Sequence, residues 1–184
     1  RNLTREGLTR GVMNLGDFMH DTFLFAKGVA AKREHVLATH GLSSGQFFLS
    51  TIHREASTQD ARTLVSLLDV LNQLGAPVIL PMHPRTQNKL GDSVLPKGVT
   101  AMASLGFYDF NKLFAGAFCV LSDSGTAAEE MLFHKVPTVS LRMTTERYEA
   151  VESGAHIVAG LDVDNIVEAV ETIIFLREAR TDFL

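Results

Sequence analysis

Tryptophan is absent from the 184 residues and cysteine occurs once, so neither an internal disulfide nor a thiolate metal cage can be built from this chain. The lone Cys119 lies in the apolar run Ala117-Phe118-Cys119-Val120-Leu121 and reads as a small buried hydrophobe, which removes thiol catalysis and redox chemistry. No apolar stretch approaches the roughly 18 to 20 residues that span a bilayer, and no basic segment precedes an apolar one at the start. The chain therefore reads as a soluble, cytoplasmic protein with no membrane partner. Excess positive charge is lacking too: 17 Lys and Arg stand against 21 Asp and Glu, a formal net charge of −4. The diffuse positive field that nucleic-acid binding uses is missing, so no nucleic-acid partner is expected.

Several chemical signatures are missing as well. No G-x-G-x-x-G and no G-x-x-x-x-G-K-[ST] occurs, which excludes a dinucleotide fingerprint and a P-loop. Ser124 lacks the first glycine of a G-x-S-x-G elbow, so serine hydrolysis fails on pattern. His53 and His83 lie on different segments and no H-E-x-x-H is present, so neither a metal site nor a cofactor is expected. His20, His35, His40 and His134 sit in no motif and read as surface or core residues.

What is present is an alternation of short β-rich runs with longer stretches of helical periodicity, the pattern of βαβ units on a parallel sheet. Strands are expected over Gln46–Ile52, Pro77–Met82, Val99–Ala103, Ala117–Ser122 and Thr138–Arg142, with shorter candidates at Gly11–Leu15 and His156–Val158. Leu64, Leu67, Leu68 and Leu71 mark one helix, Ile166, Val167, Val170, Ile173 and Ile174 mark the last, and an opening helix is expected over Asp17–Glu34. Nothing resembles a linker or a repeat. Residues 1–184 are expected to form a single α/β domain with a doubly wound, Rossmann-like parallel sheet.

In an open parallel sheet ligands bind at the carboxyl ends of the strands. Those ends carry His53-Arg54-Glu55, His83-Pro84-Arg85, Ser122-Asp123-Ser124-Gly125-Thr126, and Arg142 followed by Thr144-Thr145-Glu146-Arg147. Such an accumulation of cationic and imidazole groups on one rim points to an anion-binding cleft. In the Ser122–Glu130 segment, Gly125 permits close backbone approach, and Thr126-Ala127-Ala128-Glu129 fits a capping box opening a helix. The segment reads either as a phosphate seat or as an ordinary helix cap. Glu129 and Glu130 fall in the first turns, where a carboxylate can complement the helix dipole or hydrogen-bond a pair of ribose hydroxyls.

Taken in order, Ser50-Thr51-Ile52-His53-Arg54-Glu55, Pro81-Met82-His83-Pro84-Arg85, Leu121-Ser122-Asp123-Ser124-Gly125-Thr126-Ala127-Ala128-Glu129-Glu130 and Leu141 to Gly154 with its Thr144-Thr145-Glu146-Arg147 segment resemble the second half of a UDP-N-acetylglucosamine 2-epimerase. The resemblance covers essentially the whole chain, with residues 1–16 corresponding to the crossover from an amino-terminal domain. It implies one half of a two-domain, glycosyltransferase-B-type fold, a missing amino-terminal domain, a homodimer in the full-length protein and a UDP-sugar as ligand. It also implies site roles. Ser124 and Gly125 would hold the diphosphate, Glu130 the ribose, Phe110 would lie beside the uracil, and Arg147 would bind the UDP moiety. His53 would take part in the chemistry, and Arg54 and His83 would contact an allosteric UDP-N-acetylglucosamine. Thr126, Ser57 and Tyr148 depart from the family pattern, Thr126 keeping a capping role. The implied parent activity is epimerisation within polysaccharide biosynthesis, with this chain alone inactive. Two other readings stay open: the donor half of a UDP-sugar glycosyltransferase, and a non-catalytic nucleotide-binding module.

Overall fold

The computed structural model of the chain describes residues 2–59, 61–91 and 93–179. Six strands form one parallel sheet: β1 (Phe48–Thr51), β2 (Val78–Pro81), β3 (Val99–Met102), β4 (Cys119–Ser122), β5 (Thr138–Ser140) and β6 (His156–Val158). Their spatial order is β3-β2-β1-β4-β5-β6, so the order reverses between β1 and β4. This is the Rossmann-like doubly wound arrangement expected from the sequence. Five strands are shorter than the runs expected for them, whereas β6 has the expected bounds His156–Val158.

Ten helices among the described residues cover the connections: α1 (Asn2–Arg5), α2 (Phe18–Ala30), α3 (His35–Thr39), α4 (Glu55–Thr58), α5 (Ala61–Asn72), α6 (Pro84–Leu90), α7 (Phe107–Gly116), α8 (Gly125–His134), α9 (Tyr148–Glu152) and α10 (Val163–Ala179). Strand alternation sends side chains to both sheet faces, and both are apolar, as a parallel sheet sandwiched by helices requires. On one face Phe48, Val78, Leu80, Leu121 and Val139 pack with Leu64, Leu67 and Leu71 of α5 and Ile166, Val170 and Ile173 of α10. On the other, Leu49, Ile79 and Val120 pack with Leu113 and Phe114 of α7 and Ala127 and Met131 of α8. Cys119 is fully buried in the first cluster, and burial pushes its thiol up to about 12, consistent with an inert packing role.

Two sequence expectations are corrected. Gly11–Leu15 forms no strand: Gly11 and Gly16 take positive φ at 70° and 88°, and Val12, Met13 and Leu15 are exposed, so the segment has neither extended backbone at its ends nor a pairing partner. The opening helix starts where expected, with Asp17 Oδ1 accepting the N–H groups of Met19 at 2.8 Å and His20 at 3.2 Å, but it ends at Ala30 rather than continuing to Glu34. Of the proposed crossover, residues 2–16 are exposed on the surface and Arg1 lies outside the described residues.

At the end of α8, Lys135 takes left-handed backbone (φ 58°, ψ 42°) and the Val136 N–H donates to the Met131 carbonyl at 3.0 Å, closing a Schellman turn. Lys135→Gly removes the Cβ penalty of that conformation and is expected to raise unfolding free energy by about 1 kcal/mol in urea titration. His134, packed edge-on against Phe23 with Nε2 3.1 Å from Asn111 Oδ1, is held down to about 4 from an ordinary 6.5, first by burial and then by the Lys27 charge. Between those values the unfolded chain binds a proton that the folded chain refuses. Stability is therefore expected to fall as pH drops from 6.5 towards 4, by up to about 3 kcal/mol, and His134→Phe to flatten that limb in thermal melts.

Candidate nucleotide-binding site

The reversal of strand order opens a crevice between the loops that follow β1 and β4. The two strands are locked in register there. Thr51 pairs with Ser122, and their hydroxyls lie 2.6 Å apart. Beyond them Asp123, fully buried, turns its carboxylate back under the β1 loop: Oδ2 accepts the backbone N–H of His53 at 2.8 Å and of Arg54 at 2.7 Å. The other oxygen, Oδ1, lies 3.1 Å from Nδ1 of the His53 ring. Asp123 belongs to the strand-end motif, but the sequence pattern assigns it no role. Its signal is an acid placed immediately after an apolar strand at the switch point, where a buried carboxylate needs donors from the neighbouring loop.

A cavity of about 320 Å³ opens onto this crevice. Leu105, Phe107, Phe110 and Phe114 form one wall, with Phe110 and Phe114 in edge-to-face contact at 4.4 Å between centroids. Of these, the sequence singled out Phe110 alone. His53, His83, Ser124, Thr126 and Glu130 line it as well. Glu130 receives no hydrogen bond or ion pair from any other described residue, and burial, with the charge of Glu129, raises its carboxyl above the ordinary glutamate value. One cavity thus collects apolar aromatic side chains, a carboxylate with no hydrogen bond or ion pair among the described residues, and the N-terminal residues of α8.

The structure separates the two adjacent glutamates. Glu130 faces this cavity, whereas Glu129 turns away and pairs with Arg147 at 2.6 Å, beside a second pocket of about 280 Å³ that Asp17 and Phe133 also line. Arg147 is thus held apart from the cavity that collects His53, His83, Phe110, Ser124 and Glu130. The capping box expected from Thr126 and Glu129 does not form. Ser124 is the N-cap, its hydroxyl accepting the Ala127 N–H at 3.4 Å and lying 3.0 Å from the Thr126 hydroxyl, because the helix begins at Gly125. Among the described residues no serine hydroxyl is hydrogen-bonded to the His53 ring.

The rim cations are partly compensated. Arg142 pairs with Glu146 at 2.9 Å, and this pair lies across Gly125: a Cβ there would stand 2.6 Å from Glu146 Oε1 and 2.8 Å from Arg142 Nη1. The glycine that the sequence assigned to a close ligand approach therefore accommodates an internal carboxylate and guanidinium at the start of α8. Arg85 Nη1 donates to the His53 carbonyl at 3.0 Å. Arg54 is exposed and has no ion-pair partner among the described residues, and His83 caps α6 through Nδ1, which accepts the Arg85 N–H at 3.1 Å. No three metal-ligating side chains come together among the described residues.

A family model described as UDP-N-acetylglucosamine 2-epimerase matches residues 1–182. The chain belongs to the UDP-N-acetylglucosamine 2-epimerase family. It is 34% identical over 178 residues to the Pseudomonas aeruginosa UDP-2,3-diacetamido-2,3-dideoxy-D-glucuronate 2-epimerase, covering 93% of this chain and 49% of that protein. It is 30% identical to the Methanocaldococcus jannaschii UDP-N-acetylglucosamine 2-epimerase, covering 94% of this chain and 51% of that one. The crystal structure of the M. jannaschii enzyme in complex with UDP-GlcNAc and UDP superposes with a TM-score of 0.81 at 29% identity, over 94% of this chain and 51% of that chain. The chain spans about half the length of these epimerases.

Within this epimerase-family domain, Glu146 is held below the ordinary glutamate range first by the N–H of its own residue, an effect that desolvation opposes, and then by the charge and hydrogen bond of Arg142 and the charge of Arg147. Its carboxyl is expected to titrate below an ordinary glutamate in ¹³C NMR. Arg142→Ala should move the midpoint back only part of the way, since the backbone N–H remains.

Proposed function

We propose that the chain is the UDP-binding half of a UDP-N-acetylglucosamine 2-epimerase that interconverts UDP-GlcNAc and UDP-ManNAc. The observation that carries this reading is the cavity at the β1–β4 crevice, which Phe110, the Glu130 carboxylate and the N-terminal residues of α8 line together. A uracil ring against Phe110, a ribose diol donating to Glu130 and a diphosphate at Ser124 and Gly125 use all three. In the reaction, a base removes the C2 proton of the sugar while the C1–O bond to UDP breaks, leaving a 2-acetamidoglucal. UDP then adds back at C1 as a proton is delivered to the opposite face of C2. Charge develops on the departing diphosphate, so cationic groups placed there lower the barrier. His53 lines the cavity and is the group of this chain assigned to that chemistry. Arg147 reaches the diphosphate by exchanging its Glu129 partner for it.

The carboxylates that act on the sugar belong, in this reading, to an amino-terminal domain, and the assembled protein is a homodimer. Arg54 and His83, at the outer rim beside His53, suit contact with a second UDP-sugar as an allosteric ligand. A cytoplasmic location and a role in polysaccharide biosynthesis accompany the assignment; no helix among the described residues is long and apolar enough to cross a membrane. The P. aeruginosa relative supports a second substrate, UDP-2,3-diacetamido-2,3-dideoxy-D-glucuronate, which shares the UDP moiety.

Calorimetry decides the shared part of both substrate readings. UDP is expected to bind the chain and uridine to bind more weakly, with Glu130→Ala lowering UDP affinity about tenfold or more, the worth of one hydrogen bond to a charged group. No heat with UDP at about 1 mM, or an unchanged affinity in Glu130→Ala, overturns the reading.

A further inference from the structure

Two imidazoles line the cavity side by side, with His53 and His83 centroids 5.4 Å apart and their planes 33° from parallel. Different neighbours act on the two rings. His83 caps α6 through Nδ1, which accepts the Arg85 backbone N–H at 3.1 Å. That nitrogen must carry a lone pair, so the hydrogen of the neutral ring sits on Nε2.

His53 faces the opposite demand. Its Nδ1 lies 3.1 Å from Oδ1 of Asp123, a carboxylate with no exposed surface whose other oxygen is already filled by the backbone N–H groups of His53 and Arg54. Oδ1 has no hydrogen-bond partner as the ring stands. A lone pair on Nδ1 would set two acceptors against each other inside the protein, whereas an N–H there needs only a small ring rotation to satisfy the buried oxygen.

We propose that Asp123 is a positioning residue that holds His53 in the Nδ1–H tautomer, so that the cavity wall presents a bare His53 Nε2 beside a His83 Nε2–H. The pair then offers a ligand one acceptor and one donor from rings in contact, and the Asp123 charge lies behind the ring that faces the diphosphate. The tautomer follows from the buried contacts alone; its consequence for turnover rests on the epimerase reading and on the role of His53 in it.

Asp123→Asn separates positioning from simple loop-tying. The asparagine carbonyl still accepts both backbone N–H groups, but its amide now points N–H at Nδ1 and forces the hydrogen to Nε2. The measurement is ¹⁵N NMR of the histidine rings in the chain, above the imidazole titration, with His53→Gln and His83→Gln used for assignment. Wild-type His53 is expected to report a protonated Nδ1 and His83 a protonated Nε2, and Asp123→Asn to move the His53 hydrogen to Nε2 while leaving His83 unchanged. A wild-type His53 already in the Nε2–H form overturns the proposal and needs no variant to fold. So does an Asp123→Asn ring that does not switch.

In a full-length enzyme carrying this chain, Asp123→Asn is expected to lower kcat about a hundredfold or more with little change in KM, as a misplaced imidazole hydrogen does in other His–Asp pairs. A purely structural tie would leave kcat unchanged, since both backbone bonds survive. A ring that switches without loss of kcat sustains the positioning of His53 and overturns its assignment to the reaction.

Discussion

The buried carboxylate of Asp123 joins the two loops at which the strand order reverses, and the candidate site is assembled around that junction. One oxygen accepts two backbone N–H groups of the β1 loop at 2.7 and 2.8 Å, and the other lies 3.1 Å from the ring nitrogen of His53. An acid in such a place is tolerable only if donors meet it. The constraint runs both ways: the loop carrying His53 and Arg54 must turn over Asp123, and the chain after β4 must enter α8 at the angle that places Ser124 as its cap. The hydroxyl contact between Thr51 and Ser122 holds the two strand ends in register for this.

Anionic and cationic groups around α8 are distributed by the same geometry. Glu146 and Arg142 lie against Gly125 at the head of the helix, and Arg147 is paired with Glu129 on its flank. The cationic rim suggested by the sequence is therefore largely occupied with internal partners. A diphosphate arriving at the α8 N-terminus would compete with the Glu146 carboxylate for the same helix dipole and the same guanidinium.

Much of the fold could be read from the residues because it depends on local periodicity. Apolar runs bounded by polar strand ends identified the strands, and Leu64, Leu67, Leu68 and Leu71 identified the inner face of α5. The failures occurred where a neighbour decides. Gly11–Leu15 has a strand-like composition but no edge to pair with. Thr126 and Glu129 have the spacing of a capping box, yet Ser124 takes the cap because the strand before it ends at Ser122 and the helix starts immediately after. Phe110 was reached through the family resemblance alone, whereas Leu105, Phe107 and Phe114 of the same cavity were not, since nothing in a single stretch says which side chains of α7 and of the loop before it meet the cavity.

The sequence by itself determined a parallel, doubly wound sheet with imidazole, arginine and serine-glycine groups along its carboxyl edge, because side-chain period and strand-end composition are properties of neighbouring residues. The residue types left Glu129 and Glu130 open and the family resemblance named Glu130; only the tertiary structure showed where each goes, since adjacent helix positions turn about 100° apart and the orientation of α8 on the sheet sends Glu130 to the cavity and Glu129 to Arg147. It alone also brought Asp123 beneath His53. Those two residues are separated by 70 positions in the chain and meet because β1 and β4 lie side by side in the sheet.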